Sequence, residues 1–178
     1  SEWDPLGTWA ARLPSAMASV TMMLLLGDTV MRWPQKDDLY PRRTAVVTAL
    51  AFGLSPLVLV WSRTAVSDPL LCCTLGISLL CHWRQYVSPA PNKWQFAWVV
   101  LGFAVLTKGP VAIVLSGIVL TLFAFLRNDL ARLWSSIKPL KGLALTALIS
   151  LPWYIIELIV EGKPFWDSFF GYHNFQRF

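Results

Sequence analysis

Three short stretches carry residues able to do chemistry. Arg63 and Asp68 stand five residues apart, with Asp68 directly before Pro69; Lys108 precedes Gly109-Pro110; and His173-Asn174 lies just ahead of Arg177. A carboxylate among cations stays ionised and can orient a hydroxyl, a metal or a guanidinium. A Lys at a Gly-Pro turn offers a point charge to a phosphate. Gly109 allows close backbone approach there, and a helix opening at Pro110 turns its positive dipole end toward the same space. His173, beside Asn174 and Arg177, would make a phosphate or metal contact. Each stretch has a plainer reading as well. Asp68 suits a helix N-cap with Pro69 at the first helical position. Lys108 suits snorkelling to lipid headgroups. The aromatic-rich segment 162–178 suits an interfacial helix, since Phe, Trp and Tyr accumulate at headgroup level.

The elements that must position these residues follow from composition. Of 178 residues, 56% are hydrophobic and only 14% charged, against roughly 45–50% and 25% in an ordinary soluble domain. That balance excludes a disordered tail, a collagen-like fibre and a disulfide scaffold; Cys72, Cys73 and Cys81 all fall in apolar stretches. The net charge of +5 is no sign of nucleic acid, because the Lys and Arg residues sit between apolar runs and form no basic stripe. The sequence predicts an all-α, polytopic transmembrane bundle in the lipid bilayer.

Apolar runs mark spans at about 15–31, opened by Pro14, then at 44–61, 69–83 and 142–160. The stretch 94–126 would be about 50 Å long as one helix, well beyond a hydrocarbon core of about 30 Å. It should break at Lys108-Gly109-Pro110, since Pro110 removes a helix hydrogen bond and pushes Gly109 out of helical geometry. A Lys at the bilayer centre would also cost at least about 2.5–3.5 kcal/mol. Six spans result. They place Arg32, Lys36, Arg42, Arg43, Arg84, Lys93, Arg127, Arg132, Lys138 and Lys141 on one side, which the positive-inside rule makes cytoplasmic. Arg63, Asp68, Lys108, Lys163, Asp167, His173 and Arg177 fall on the outer side, where orientation has no need of them. Residues 1–160 read as the transmembrane domain and 161–178 as an extracytoplasmic interfacial segment. With no initiator Met and no cleavable signal, the sequence is expected to be the central piece of a longer protein.

Five motifs in order carry a resemblance: Ala11-Arg12-Leu13-Pro14-Ser15-Ala16, Ser62-Arg63-Thr64-Ala65-Val66-Ser67-Asp68, Leu106-Thr107-Lys108-Gly109-Pro110, Pro152-Trp153-Tyr154, and Phe170-Gly171-Tyr172-His173-Asn174-Phe175-Gln176-Arg177-Phe178. Together they resemble the polyprenyl-phosphate-sugar-dependent membrane glycosyltransferases, such as bacterial lipid A aminoarabinose transferases and protein O-mannosyltransferases. The resemblance implies an inverting transfer from a polyprenyl-phosphate sugar donor to a hydroxyl of a lipid or protein acceptor. It also implies a site on the periplasmic face of a bacterial inner membrane. Lys108, Arg177 and Arg63 would then bind the donor phosphate, and Asp68 would match a supporting acidic position. His173 would match a position associated with metal binding, which makes a divalent metal ion an expectation. The main catalytic Asp of that family is expected in a loop preceding Ser1. A secondary transporter or flippase for a lipid-phosphate or anionic substrate is the alternative, because a broken helix bearing a charge also builds transporter sites. Against it, the Lys-Gly-Pro break has no second copy in the sequence.

Overall fold

The computed structural model describes residues 5–90 and 93–161, and every regular element among them is an α-helix. In chain order these are α1 (Pro5–Arg32), α2 (Pro41–Gly53), α3 (Pro56–Trp61), α4 (Asp68–Val87), α5 (Trp94–Lys108), α6 (Val111–Arg127), α7 (Leu130–Ile137) and α8 (Pro139–Glu161). The segment 162–178, with His173 and Arg177, lies outside the described residues.

Proline punctuates the helices. Pro41, Pro56, Pro69 and Pro139 each stand in a first turn, where the missing N–H would have no intrahelical partner. Two expectations are corrected by the same chemistry. The run 44–61 is not one helix: Pro56 forces Ser55 into extended geometry (φ −56°, ψ 129°), which separates α2 from α3. Pro14 does not open the first helix, because α1 starts at Pro5 and runs through it. The segment 127–141, left between the expected spans 94–126 and 142–160, contains α7. This helix turns Leu133, Ser136 and Ile137 inward and is bounded by Asn128 (φ 52°) and Lys138 (φ 50°), both left-handed.

Side-chain contacts fix the direction of each helix. Ser15 meets Val66 at one end of α1, while Asp28 meets Arg84 at the other, so α1 and α4 run parallel. The returning strut between them is α2–α3, with Gly27 against Ala45 and Gly53 against Met23. Ser78 meets Ala97, and Asp68 meets Lys108, so α5 runs against α4. In α8, Gly142 lies against Trp98 and Tyr154 against Val105, which makes α8 parallel to α5. Tyr86 packs edge-on against Phe123 at 5.4 Å, so the end of α6 lies beside the end of α4 and α6 returns from the break at Gly109. Six runs, namely α1, α2–α3, α4, α5, α6 and α8, therefore alternate in direction. Asp68 and Lys108 share one end, and Arg32, Arg84, Arg132 and Lys138 gather at the other.

The core is held where α4 and α8 flank α5. Ser78 Oγ donates to the Ala97 carbonyl (2.8 Å) and Thr146 Oγ1 to the Trp98 carbonyl (2.9 Å), both buried. Trp98 lies over Gly142 and donates through Nε1 to the Ile137 carbonyl at 2.8 Å. Buried hydroxyls that bond across helices are the expected fasteners where water is absent. The outward faces of α6 and α8 are apolar, with Val114, Ile118, Leu122, Phe125, Ile155 and Ile159 exposed. Among the described residues two helices, Trp9–Arg32 and Pro139–Val160, are long and apolar enough to cross a membrane; α5 and α6 are shorter apolar helices.

Candidate functional site

The break between α5 and α6 is made by one residue. Gly109 adopts φ 89°, ψ −168°, a region closed to residues with a Cβ. Its N–H turns back to the Val105 carbonyl at 2.7 Å, closing α5, and its carbonyl accepts from Ala112 at 3.3 Å, opening α6. The Gly109 N–H is thereby spent inside the fold and is not offered to a ligand. What the turn presents is the side chain before it.

Lys108, in the last turn of α5, donates through Nζ to Asp68 Oδ1 in the first turn of α4. Each charge complements the dipole of its own helix, anion at an N-terminus and cation at a C-terminus. Asp68 is not the N-cap that its place before Pro69 suggests. The cap position belongs to Ser67, which makes no side-chain capping bond, and the Asp68 carboxylate goes to Lys108 instead. The pair remains open to solvent, with the Lys108 side chain 45% exposed and that of Asp68 30%. An ammonium has three donors, so one bond to Asp68 leaves two for an incoming oxyanion.

Both halves of the pair are braced from outside. Buried Ser15 of α1 donates to the Val66 carbonyl at 3.0 Å, two residues before Asp68. Tyr154 of α8 donates through its hydroxyl to the Val105 carbonyl at 2.9 Å, the same oxygen that closes α5 at Gly109. Neither residue stood out as a site residue in the sequence, although both lie in the ordered motifs, Ser15 after Pro14 and Tyr154 after Pro152-Trp153. The available signal was a hydroxyl one or two residues after a proline in an apolar run.

Arg63 lies exposed in the turn after α3, at the same end of the bundle, and makes no ion pair among the described residues. His173 and Arg177 lie outside those residues, so the geometry joins Lys108 to Asp68 and to neither of them. Among the described residues no group of three His, Cys, Asp or Glu side chains could hold a metal ion. His173, on which the resemblance places the expected divalent metal, lies outside those residues.

Parallel and antiparallel runs thus bring one carboxylate and one ammonium to the end of the helical bundle opposite its cationic end. A sequence model of the family described as dolichyl-phosphate-mannose-protein mannosyltransferase matches residues 6–156, and the chain belongs to that family. An uncharacterized protein of Aquifex aeolicus is 27% identical over 175 residues, covering 97% of this chain and 36% of its own length. An undecaprenyl phosphate-alpha-4-amino-4-deoxy-L-arabinose arabinosyl transferase 2 of Proteus mirabilis is 28% identical over 143 residues, 77% of this chain and 25% of that protein. The corresponding arabinosyl transferase of Erwinia tasmaniensis is 27% identical over 175 residues, 96% of this chain and 30% of its own length. The chain thus spans between a quarter and about a third of the length of these relatives. No solved structure matches it.

Proposed function

We propose that this chain belongs to an enzyme that transfers a sugar from a polyprenyl-phosphate donor to an acceptor hydroxyl at the outer face of a bacterial inner membrane, with inversion at the anomeric carbon. The observation that carries the reading is the Lys108–Asp68 pair, set at a helix break on the end of the bundle away from the cationic loops. The alternating directions of α1, α2–α3, α4, α5, α6 and α8 support six crossings, with α5 and α6 as a hairpin.

In such a transfer the acceptor oxygen attacks the anomeric carbon, and the bond from that carbon to the lipid phosphate oxygen breaks. Negative charge grows on the departing polyprenyl phosphate. The two free donors of Lys108 meet that charge, and they stabilise the transition state more than the ground state, where the charge is smaller. Asp68 holds the ammonium over the end of α5 and orients it. Arg63 and Arg177 are assigned to the same phosphate, as cations expected at the same face. His173 is the one residue to which a divalent ion is assigned, and no step of the transfer is routed through it. The acceptor's general base is not among these residues.

The test is to express the full-length protein in membranes and follow label from a polyprenyl-phosphate sugar into acceptor. Labelled product that depends on Lys108 supports the reading. Uptake or flipping of the donor without transfer of label would place the protein among transporters instead.

A further inference from the structure

At the other end of the bundle, α7 lies across the ends of α4 and α6, and its cations read in the sequence as setting orientation and meeting anionic headgroups in general, without a defined site. Arg132 and Lys138 stand on a pocket of about 400 Å³ that Gln85, Ala90, Ser135 and Ser136 complete. The neutral lining groups are already satisfied. Ser135 and Ser136 both donate to the Arg132 carbonyl, and Gln85 exchanges bonds with the backbone of Ala90. Apart from the second N–H of Gln85, the side-chain donors left to the pocket are those of the two cations. Each is held in place by an aromatic face, Arg132 at 5.0 Å over Tyr86 and Lys138 at 5.4 Å over Trp94. The nearest acid, Asp129, accepts the Tyr86 hydroxyl at 2.7 Å and lies 4.0 Å from Arg132; Lys138 makes no ion pair among the described residues.

Two further observations narrow the ligand. Lys138 adopts φ 50°, ψ 62°, a left-handed conformation in which Gly or Asn would carry less strain. Beyond Tyr86 and Leu133, a wholly apolar cleft of about 220 Å³ runs between α4 and α6, past Trp83 and Phe123 to Leu79 and Val119. From Tyr86 to Leu79 it follows α4 for about 10 Å. Trp134 and Leu140, 56% and 79% exposed, stand beside the cations as side chains at a lipid interface do.

We propose that this end of the bundle binds one anionic phospholipid, its phosphodiester between Arg132 and Lys138 and one acyl chain in the cleft between α4 and α6. The proposal rests on the chain lying in a bilayer and is independent of the transfer reaction. A phosphate flanked by two fixed cations and joined to a hydrocarbon chain matches both halves of the site, whereas a free anion would leave the cleft unused.

The test uses the full-length protein in mild detergent, incubated with equal amounts of phosphatidylglycerol and phosphatidylcholine and read by native mass spectrometry. One retained phosphatidylglycerol per protein, preferred at least tenfold, is the expected result. Lys138→Gly is the decisive variant, because glycine suits the local backbone. It should melt no lower than the parent yet lose phosphatidylglycerol at least tenfold, as should Arg132→Gln. Val119→Trp, which fills the cleft and keeps both cations, should lose the lipid too, while Arg42→Gln in the first turn of α2 should not. Unchanged retention in Lys138→Gly and Arg132→Gln, or an equal loss in Arg42→Gln, overturns the proposal. So does displacement of the lipid by millimolar inorganic phosphate together with full retention in Val119→Trp, which would mark a site for a free anion.

Discussion

Lys108 closes α5 and Asp68 opens α4, and the hydrogen bond between them spans forty residues of sequence at one end of the bundle. The pair is half open to solvent, so its contribution to folding is about 0–1 kcal/mol. So small a contribution leaves the proposed phosphate contact, rather than stability, as the role to test. Lys108→Ala in the full-length protein is expected to lower transfer by roughly 10²–10³-fold, the usual effect of removing one charge-stabilising donor. Its melting temperature should barely move. Turnover assays beside thermal melts separate the two effects, and unchanged turnover would remove Lys108 from the phosphate.

Gly109 is the residue that allows Lys108 to stand at a turn. Its φ of 89° with ψ of −168° is open only to glycine. Gly109→Ala should destabilise the protein by about 1–3 kcal/mol. The alternative is that α5 and α6 rearrange around the residue and carry Lys108 away from Asp68. A melting temperature equal to the parent's, with full activity, would show that the turn does not need glycine.

Ser15 and Tyr154 brace the carbonyls of Val66 and Val105 from opposite sides of the site. Ser15→Ala and Tyr154→Phe each remove a hydrogen bond contributing about 0.5–1.5 kcal/mol. Turnover is expected to fall further than stability alone accounts for, because both bonds hold backbone within a few residues of the pair. The check is kcat against melting temperature in each variant; a loss of stability with kcat intact would make the bracing purely structural.

In α5 the interior is built around Trp98, which covers Gly142 so closely that a Cβ there would overlap its ring. Gly142→Ala must push the indole aside and break its bond to the Ile137 carbonyl. Overpacking of that kind costs about 1–3 kcal/mol. Gly117→Ala makes the control, since a Cβ there meets nothing within 4 Å. Thermal melts of the two variants should differ clearly, with Gly142→Ala the lower.

What could be read from the sequence divides along physical lines. Long apolar runs and a Lys-Gly-Pro break are local signals, so the helices and the turn at Gly109 were legible before any coordinates. Pro56 was equally visible, yet the hydrophobicity on both sides of it hid the separation of α2 from α3. The amphipathic α7 was missed because Arg127, Arg132 and Lys138 make its segment look like a polar loop. The partnership of Lys108 with Asp68 could not be read locally at all, for it depends on α4 and α5 lying antiparallel in register. Ser15 and Tyr154 escaped for the same reason: a hydroxyl in an apolar run shows its purpose only when the carbonyl it reaches is known.

The direction of α5 and α6 gives the proposed topology a sharp test. If they form a hairpin that crosses and returns, Thr107 lies at the outer face and Arg127 at the cytoplasmic one. In a background with Cys72, Cys73 and Cys81 replaced by Ala or Ser, Thr107→Cys should react with a membrane-impermeant maleimide in intact cells. Arg127→Cys should react only after permeabilisation. The reverse pattern would move the Asp68–Lys108 pair to the cytoplasm and defeat transfer at the outer face. Labelling of both from one side would mean that α5 and α6 do not cross as a pair, and the cost of carrying Lys108 through lipid would then have to be met by groups other than Asp68.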